Sequence, residues 1–337
     1  MDRVDHLQRR RVVLGFPLAV VYKFFDDQGS YLAVVVTYYT FVAIFPLLLI
    51  ASSVLGFVLQ GNPHLQQEVL NSALSQFPIV GDQLGRPEGL QGSTSAVVLG
   101  TIAALYGVLG LGQAAQNAVN TAWAVPRNSR LNPVISRLSS LLALFLAGLT
   151  VLAVTVFTSV ASHLDVFGSN ADRGLGWLFT IVSVVVNAVV LALMMRLATT
   201  HREGFLASLP GALLVAVLWQ VLQAVGGQYV RHVINRVSSM NAVFALVLGL
   251  VALLYVASVI AVIGLEVNVV LARRLFPRAL LAPFTDAVEL TEADRRAYAA
   301  YAKAQRHKGF ERVDVRFEDE DELEDQRQDG LEDRRSG

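Results

Sequence analysis

The sequence has 337 residues, of which 54% are apolar and only 16% charged. A soluble domain carries about 25% charged residues, and nearly half of the charges here crowd into the last 52 residues, Asp286–Gly337, so an average soluble enzyme is excluded and a polytopic membrane protein is expected. The absence of cysteine and a formal net charge of zero exclude a disulfide framework, a thiolate metal site or a thiol nucleophile, and no global field points to nucleic acid.

Residues 12–25 are apolar but too short to span, and they contain Pro17 and Lys23. Arg9, Arg10 and Arg11 precede the run as in a signal peptide, yet Lys23, Asp26 and Asp27 follow without a small-residue cleavage site. The pattern predicts an interfacial helix along the cytoplasmic leaflet.

A hydrocarbon core about 30 Å thick requires about 20 apolar helical residues. Six runs qualify, at about 32–59, 95–122, 138–164, 174–195, 204–230 and 237–265, the last continuing helically toward Arg273. They are apolar all round, unlike alternating barrel strands. The expected fold is therefore all-α, a polytopic membrane bundle of six transmembrane helices. Residues 1–31 form an N-terminal interfacial segment, 32–275 the transmembrane domain and 276–337 a cytoplasmic tail, acidic and largely disordered from about 311.

The first span carries Thr37, Tyr38, Tyr39 and Thr40 ahead of Pro46, and the Thr40 hydroxyl is placed to serve carbonyls freed by the proline. Beyond it, Leu65, Val69, Leu70, Leu74 and Phe77 recur at helical spacing and predict a short amphipathic helix in the outer loop. In the second span Gln113, Gln116, Asn117 and Asn120 fall at i, i+3, i+4 and i+7, one stripe of carboxamides ending at Trp123 near the headgroup level. Gly107, Gly110 and Gly112 precede it and permit close helix approach. The stripe reads either as the polar lining of a substrate path or as interhelical clasps. Asn187 lies deep in the fourth span, and Gln220 and Gln223 share a face of the fifth. Glu266 and Asn268 end the sixth, where Glu266 reaches headgroup water, pairs with a cytoplasmic arginine or takes up a proton during transport. In the tail, Thr291-Glu-Ala-Asp294 fits a capping box opening a helix to about His307, and Glu318–Asp333 then packs ten acids into 16 residues.

Lys and Arg near the span ends number 13 on one side against 4 on the other, which places both termini in the cytoplasm. Arg231 and Arg236 dissent and could mark an anion-attracting mouth. Gly110-Leu-Gly112-Gln-Ala-Ala115 matches a dinucleotide pattern, but inside an apolar helix rather than at a strand–helix turn. The six histidines show no i, i+4 pair, and no nucleophile elbow or phosphate loop occurs. No metal, cofactor or enzymatic activity is expected.

The segments YYTFVAIFPLLL (Tyr38–Leu49), AAQNAVNTAW (Ala114–Trp123), PGALLVAVLWQ (Pro210–Gln220) and LYVASVIAVIGLEVN (Leu254–Asn268) resemble the YihY/BrkB family of bacterial inner-membrane proteins. The resemblance spans roughly residues 12–275 and implies six helices in the bacterial cytoplasmic membrane, with members linked to serum resistance and lipid movement. A ribonuclease BN label carried by some members finds no support in these residues. Where that family often has an acid near the Asn-rich stretch or the fifth span, this chain has Gln113, Gln116 and Gln220, which argues against proton coupling there. The expected function is transport or flipping of a lipid or other amphiphile, with membrane lipids as partners and no nucleic acid. Gln113, Gln116, Asn117, Asn120, Asn187, Gln220, Gln223 and Glu266 are the expected path. The alternative is a non-transporting scaffold that recruits partners through its acidic tail.

Overall fold

A computed structural model describes residues 12–58, 94–143, 145–146, 148–149, 172–198, 204–232, 239–279 and 290–317. Among these residues there are eight α-helices and no strand, so the all-α class holds. They are α1 (Val12–Asp26), α2 (Gly29–Val58), α3 (Thr94–Ala122), α4 (Pro133–Ala143), α5 (Asp172–Leu197), α6 (Phe205–His232), α7 (Ser239–Arg273) and α8 (Glu292–Ala304). At 1.5 Å per residue, the 30 residues of α2 extend about 45 Å. By length and composition, Phe205–Gly226 in α6 and Val247–Arg273 in α7 are long and apolar enough to cross a membrane. The predicted outer-loop helix, most of the third predicted span, the loop up to Arg236 and the acidic run from Glu318 lie outside the described residues.

α2 packs on both α3 and α7, α6 lies between α5 and α7, and α1 lies against α7. Small residues set these approaches, as expected from the glycine spacing. A Cβ on Gly107 would stand 2.8 Å from the backbone nitrogen of Ala43 in α2, and one on Gly110 would overlap the Tyr39 ring. Gly112 faces Ser140 of α4 instead, and Gly211 of α6 faces the Gly264 carbonyl of α7. Outward faces stay apolar: Ile181, Val185, Val189 and Leu193 on α5, and Leu213, Val217, Val221 and Val225 on α6, are all exposed at four-residue intervals. Continuous apolar stripes of this length mark contact with a membrane or a partner.

Polar side chains clasp the bundle where helices cross. Thr37 donates to Ser258 Oγ at 3.1 Å, joining α2 to α7. Pro210 removes one backbone donor from α6. Close by, Asn268 of α7 accepts from the Gly211 N–H at 2.7 Å and donates to the Ser208 carbonyl at 3.1 Å.

The predicted N-terminal helix forms as α1, which buries Ala19, Val20 and Lys23 in a core shared with α7 and leaves Val13, Leu14, Val21 and Phe25 exposed. Trp123 is buried in that same core; its carbonyl accepts from Arg273, whose guanidinium lies 5.6 Å from the ring centre. The Thr40 hydroxyl turns back to the Val36 carbonyl at 2.8 Å and does not serve the proline. In α8 the capping box forms as read from the sequence, although the helix ends at Ala304.

Candidate functional site

Several helix ends converge at one end of the bundle, termed the base. α3 closes with Ala124 at φ 46° and the Val125 N–H bonded to the Asn120 carbonyl at 2.8 Å, the left-handed cap that turns a chain out of a helix. α7 closes the same way, with Arg274 at φ 52° and Leu275 N–H on the Val270 carbonyl at 3.0 Å. The corner between α1 and α2 passes through Gln28 at φ 54°. Beneath them α8 is fastened by Asp294, which closes its own capping box, accepts from the Ala279 N–H at 2.9 Å and binds the buried Arg278 guanidinium.

These ends enclose a cleft of about 920 Å³. Asp26, Asp27 and Tyr31 line it from the first corner; Asn117, Asn120 and Thr121 line it from α3. Arg127 and Arg130 contribute from the turn after α3, and Tyr301 from α8. Asp27 pairs with Lys23, whose ammonium also stands 3.4 Å from Glu266. Asp26 accepts from Arg278 at 3.1 Å and lies 3.4 Å from the Tyr301 hydroxyl.

Arg130 donates to Asn117 Oδ1 at 3.0 Å, and an Arg127 guanidinium nitrogen lies 3.0 Å from His307 Nε2. Among the described residues neither arginine has a carboxylate partner within 4 Å. Burial, and then the neighbouring Arg127 charge, lower the Arg130 pKa. Burial pushes the Asp27 carboxyl up despite Lys23, and the Asp26 charge adds to the rise. Burial also opposes the Arg278 charge, but Asp26 and Asp294 outweigh it and hold the guanidinium above its usual value. Burial and the nearby aspartates raise the Tyr301 phenol, which stays neutral.

The carboxamide stripe divides. Gln116 faces α4: its amide nitrogen lies 2.8 Å from the Ser136 carbonyl and 3.0 Å from Ser140 Oγ, and the Ser136 hydroxyl donates to its oxygen. Asn117 and Asn120 line the cleft, while Gln113 is exposed and does not. Among the described residues Asn187 reaches only Ser183 of its own helix, at 3.5 Å, and half-buried Gln220 and Gln223 are not among the residues that line the cleft. Glu266 does not reach headgroup water: it is 0% exposed. The sequence reading assigned Lys23, Arg127, Arg130 and Arg278 to topology alone and gave no role to Asp26, Asp27 or Tyr301. The one local signal was the i, i+4 spacing of Lys23 and Asp27.

Amides and guanidinium groups on one wall of the cleft offer donors to oxygen-rich or anionic groups, and the first corner offers carboxylates. Among the described residues no three His, Asp or Glu side chains are grouped to hold a metal. No curated protein and no solved structure matches the sequence. A family model described as virulence factor BrkB matches residues 20–286. That match runs from α1, through the cleft-lining part of α3, to the segment after α7 that carries Arg278, and by it this chain belongs to the BrkB family.

Proposed function

We propose that the protein is a multi-pass protein of the bacterial cytoplasmic membrane that moves a lipid or similar amphiphile, and that the polar head enters through the cleft at the base. The observation that carries this reading is the meeting of Asn117 and Asn120 with Arg127 and Arg130, which lack a carboxylate partner among the described residues, around one cleft of about 920 Å³. The volume falls within the usual range for a ligand site. The arginine guanidinium groups suit phosphate or carboxylate oxygens, and uncharged amides bind a head without trapping it. The excess of Lys and Arg around the base orients it toward the cytoplasm, with six spans and both termini inside. The apolar stripes on α5 and α6 then face lipid, and no enzymatic step is needed.

The test is transfer of a tail-labelled phospholipid between leaflets of vesicles containing the purified full-length protein. Asn117→Leu combined with Arg130→Leu is expected to slow protein-dependent transfer at least tenfold. Asn187→Leu and Gln223→Leu, away from the cleft, are expected to change it less than twofold. Wild-type transfer by the double variant would overturn the reading.

A further inference from the structure

One cluster within the base, apart from Arg127 and Arg130, holds more acids than cations. α1 supplies Lys23, Asp26 and Asp27, α7 supplies Glu266, the segment after α7 supplies Arg278, and α8 supplies Asp294 together with the Tyr301 hydroxyl. Four carboxylates thus share two cations. Asp294 is fully served, by Arg278, by the Ala279 and Thr291 N–H groups and by the Thr291 hydroxyl. Asp26 has Arg278 and remains 24% exposed. The imbalance therefore falls on the other two. Asp27 and Glu266 face the single Lys23 ammonium, which is 2% exposed, with the Tyr301 ring 5.1 Å from it. Neither Glu266 oxygen accepts a hydrogen bond from any described residue.

An ionised carboxylate buried without hydrogen bonds costs several kcal/mol, and two carboxylates beside one cation resist ionising together. Asp27 and Glu266 both face the Lys23 ammonium, Asp27 as its ion pair and Glu266 at 3.4 Å. Two neighbouring carboxylates can hydrogen-bond to one another only if one of them carries a proton, since ionised carboxylates are acceptors alone. A single proton would serve the Glu266 oxygens and leave one negative charge opposite one ammonium.

We infer that Asp27 and Glu266 hold one exchangeable proton between them beside Lys23, which makes the base a proton-binding site. Glu266 is sealed from solvent, so the proton enters and leaves through Asp27, which lines the cleft. The proton passes between cleft water and a carboxylate oxygen, and no other bond changes. Whatever binds the cleft near Asp27 alters the affinity of the proton, and the proton alters its binding by the same factor. The site itself stands independently of what the cleft carries.

The experiment is infrared spectroscopy of the full-length protein in micelles of an uncharged sugar detergent at pH 7 with no phospholipid added. The wild type is expected to show the carbonyl stretch of a buried protonated carboxylic acid, sensitive to exchange into D₂O. Asp27→Asn and Glu266→Gln are each expected to abolish it, because either change leaves one carboxylate opposite one ammonium. Circular dichroism identifies a variant that has failed to fold, in which case the other carries the test. Absence of the band from the wild type, or its survival in folded Asp27→Asn, would overturn the inference. The empty cleft keeps this outcome separate from the outcome of the lipid-transfer assay.

Discussion

Neighbouring side chains of one chemical class take different work in this protein. Gln116 and Asn117 are adjacent carboxamides, and side chains at i and i+1 on a helix point to different neighbours. Gln116 is buried against the serines of α4, whereas Asn117 holds Arg130 at the cleft. Membrane-embedded hydrogen bonds contribute about 0.6 to 2 kcal/mol each. Gln116→Leu is therefore expected to lower stability by about 1–2 kcal/mol, read as an earlier denaturation midpoint in detergent, while Asn117→Leu leaves the midpoint nearly unchanged. Equal midpoints for the two variants would remove the distinction. The sequence showed the stripe and its spacing, but not its division, because which face meets α4 depends on where Pro133 lets that helix begin.

At the scale of elements, long uncharged runs made the helices legible, and the Thr291–Asp294 spacing made the start of α8 legible. What could not be read was how α8 meets the rest, since its docking rests on tertiary contacts such as Arg278 with Asp294, 16 residues apart. The same carboxylate caps the helix, so removing it both frays α8 and strips a buried cation of one partner. Loss of a cap costs about 0.5–2 kcal/mol and breaking a buried pair about 3–5 kcal/mol. Asp294→Ala is expected to release α8, measured as protease cleavage between residues 290 and 310 at least tenfold faster than in wild type. Unchanged cleavage would show that α8 is held by its apolar face alone, through Ala293 and Ala297. The site was less legible than the helices for the same reason. Asp27 and Glu266 are 239 positions apart, and only the packing of α1 on α7 brings them to one ammonium. Lys23 therefore looked like a flanking charge when it is a buried one.

For the whole molecule, the base makes stability depend on pH. Burial raises the Asp27 carboxyl above its usual value of 3.8, so the folded protein keeps a proton that the unfolded chain releases. That contribution is fully present below 3.8 and is lost as pH rises through the folded-state value. Thermal unfolding of wild type and Asp27→Asn in the same detergent should therefore diverge with pH. The wild type should lose stability relative to the variant as pH rises, by at most about 1.4 kcal/mol per pH unit for one proton. A difference constant from pH 4 to 7 would remove Asp27 from the titration.

The central claim is that a lipid head enters the cleft at the base, and the absence of cysteine from the sequence allows it to be tested directly. Asn117→Cys and, on a separate chain, Asn187→Cys would be reconstituted in vesicles containing a phospholipid with a maleimide on its headgroup. Intact mass spectrometry would then count lipid adducts. The account predicts an adduct at position 117, reduced when Arg130→Leu is added, and none at position 187. An unmodified thiol at position 117, or equal modification at both positions, would contradict it.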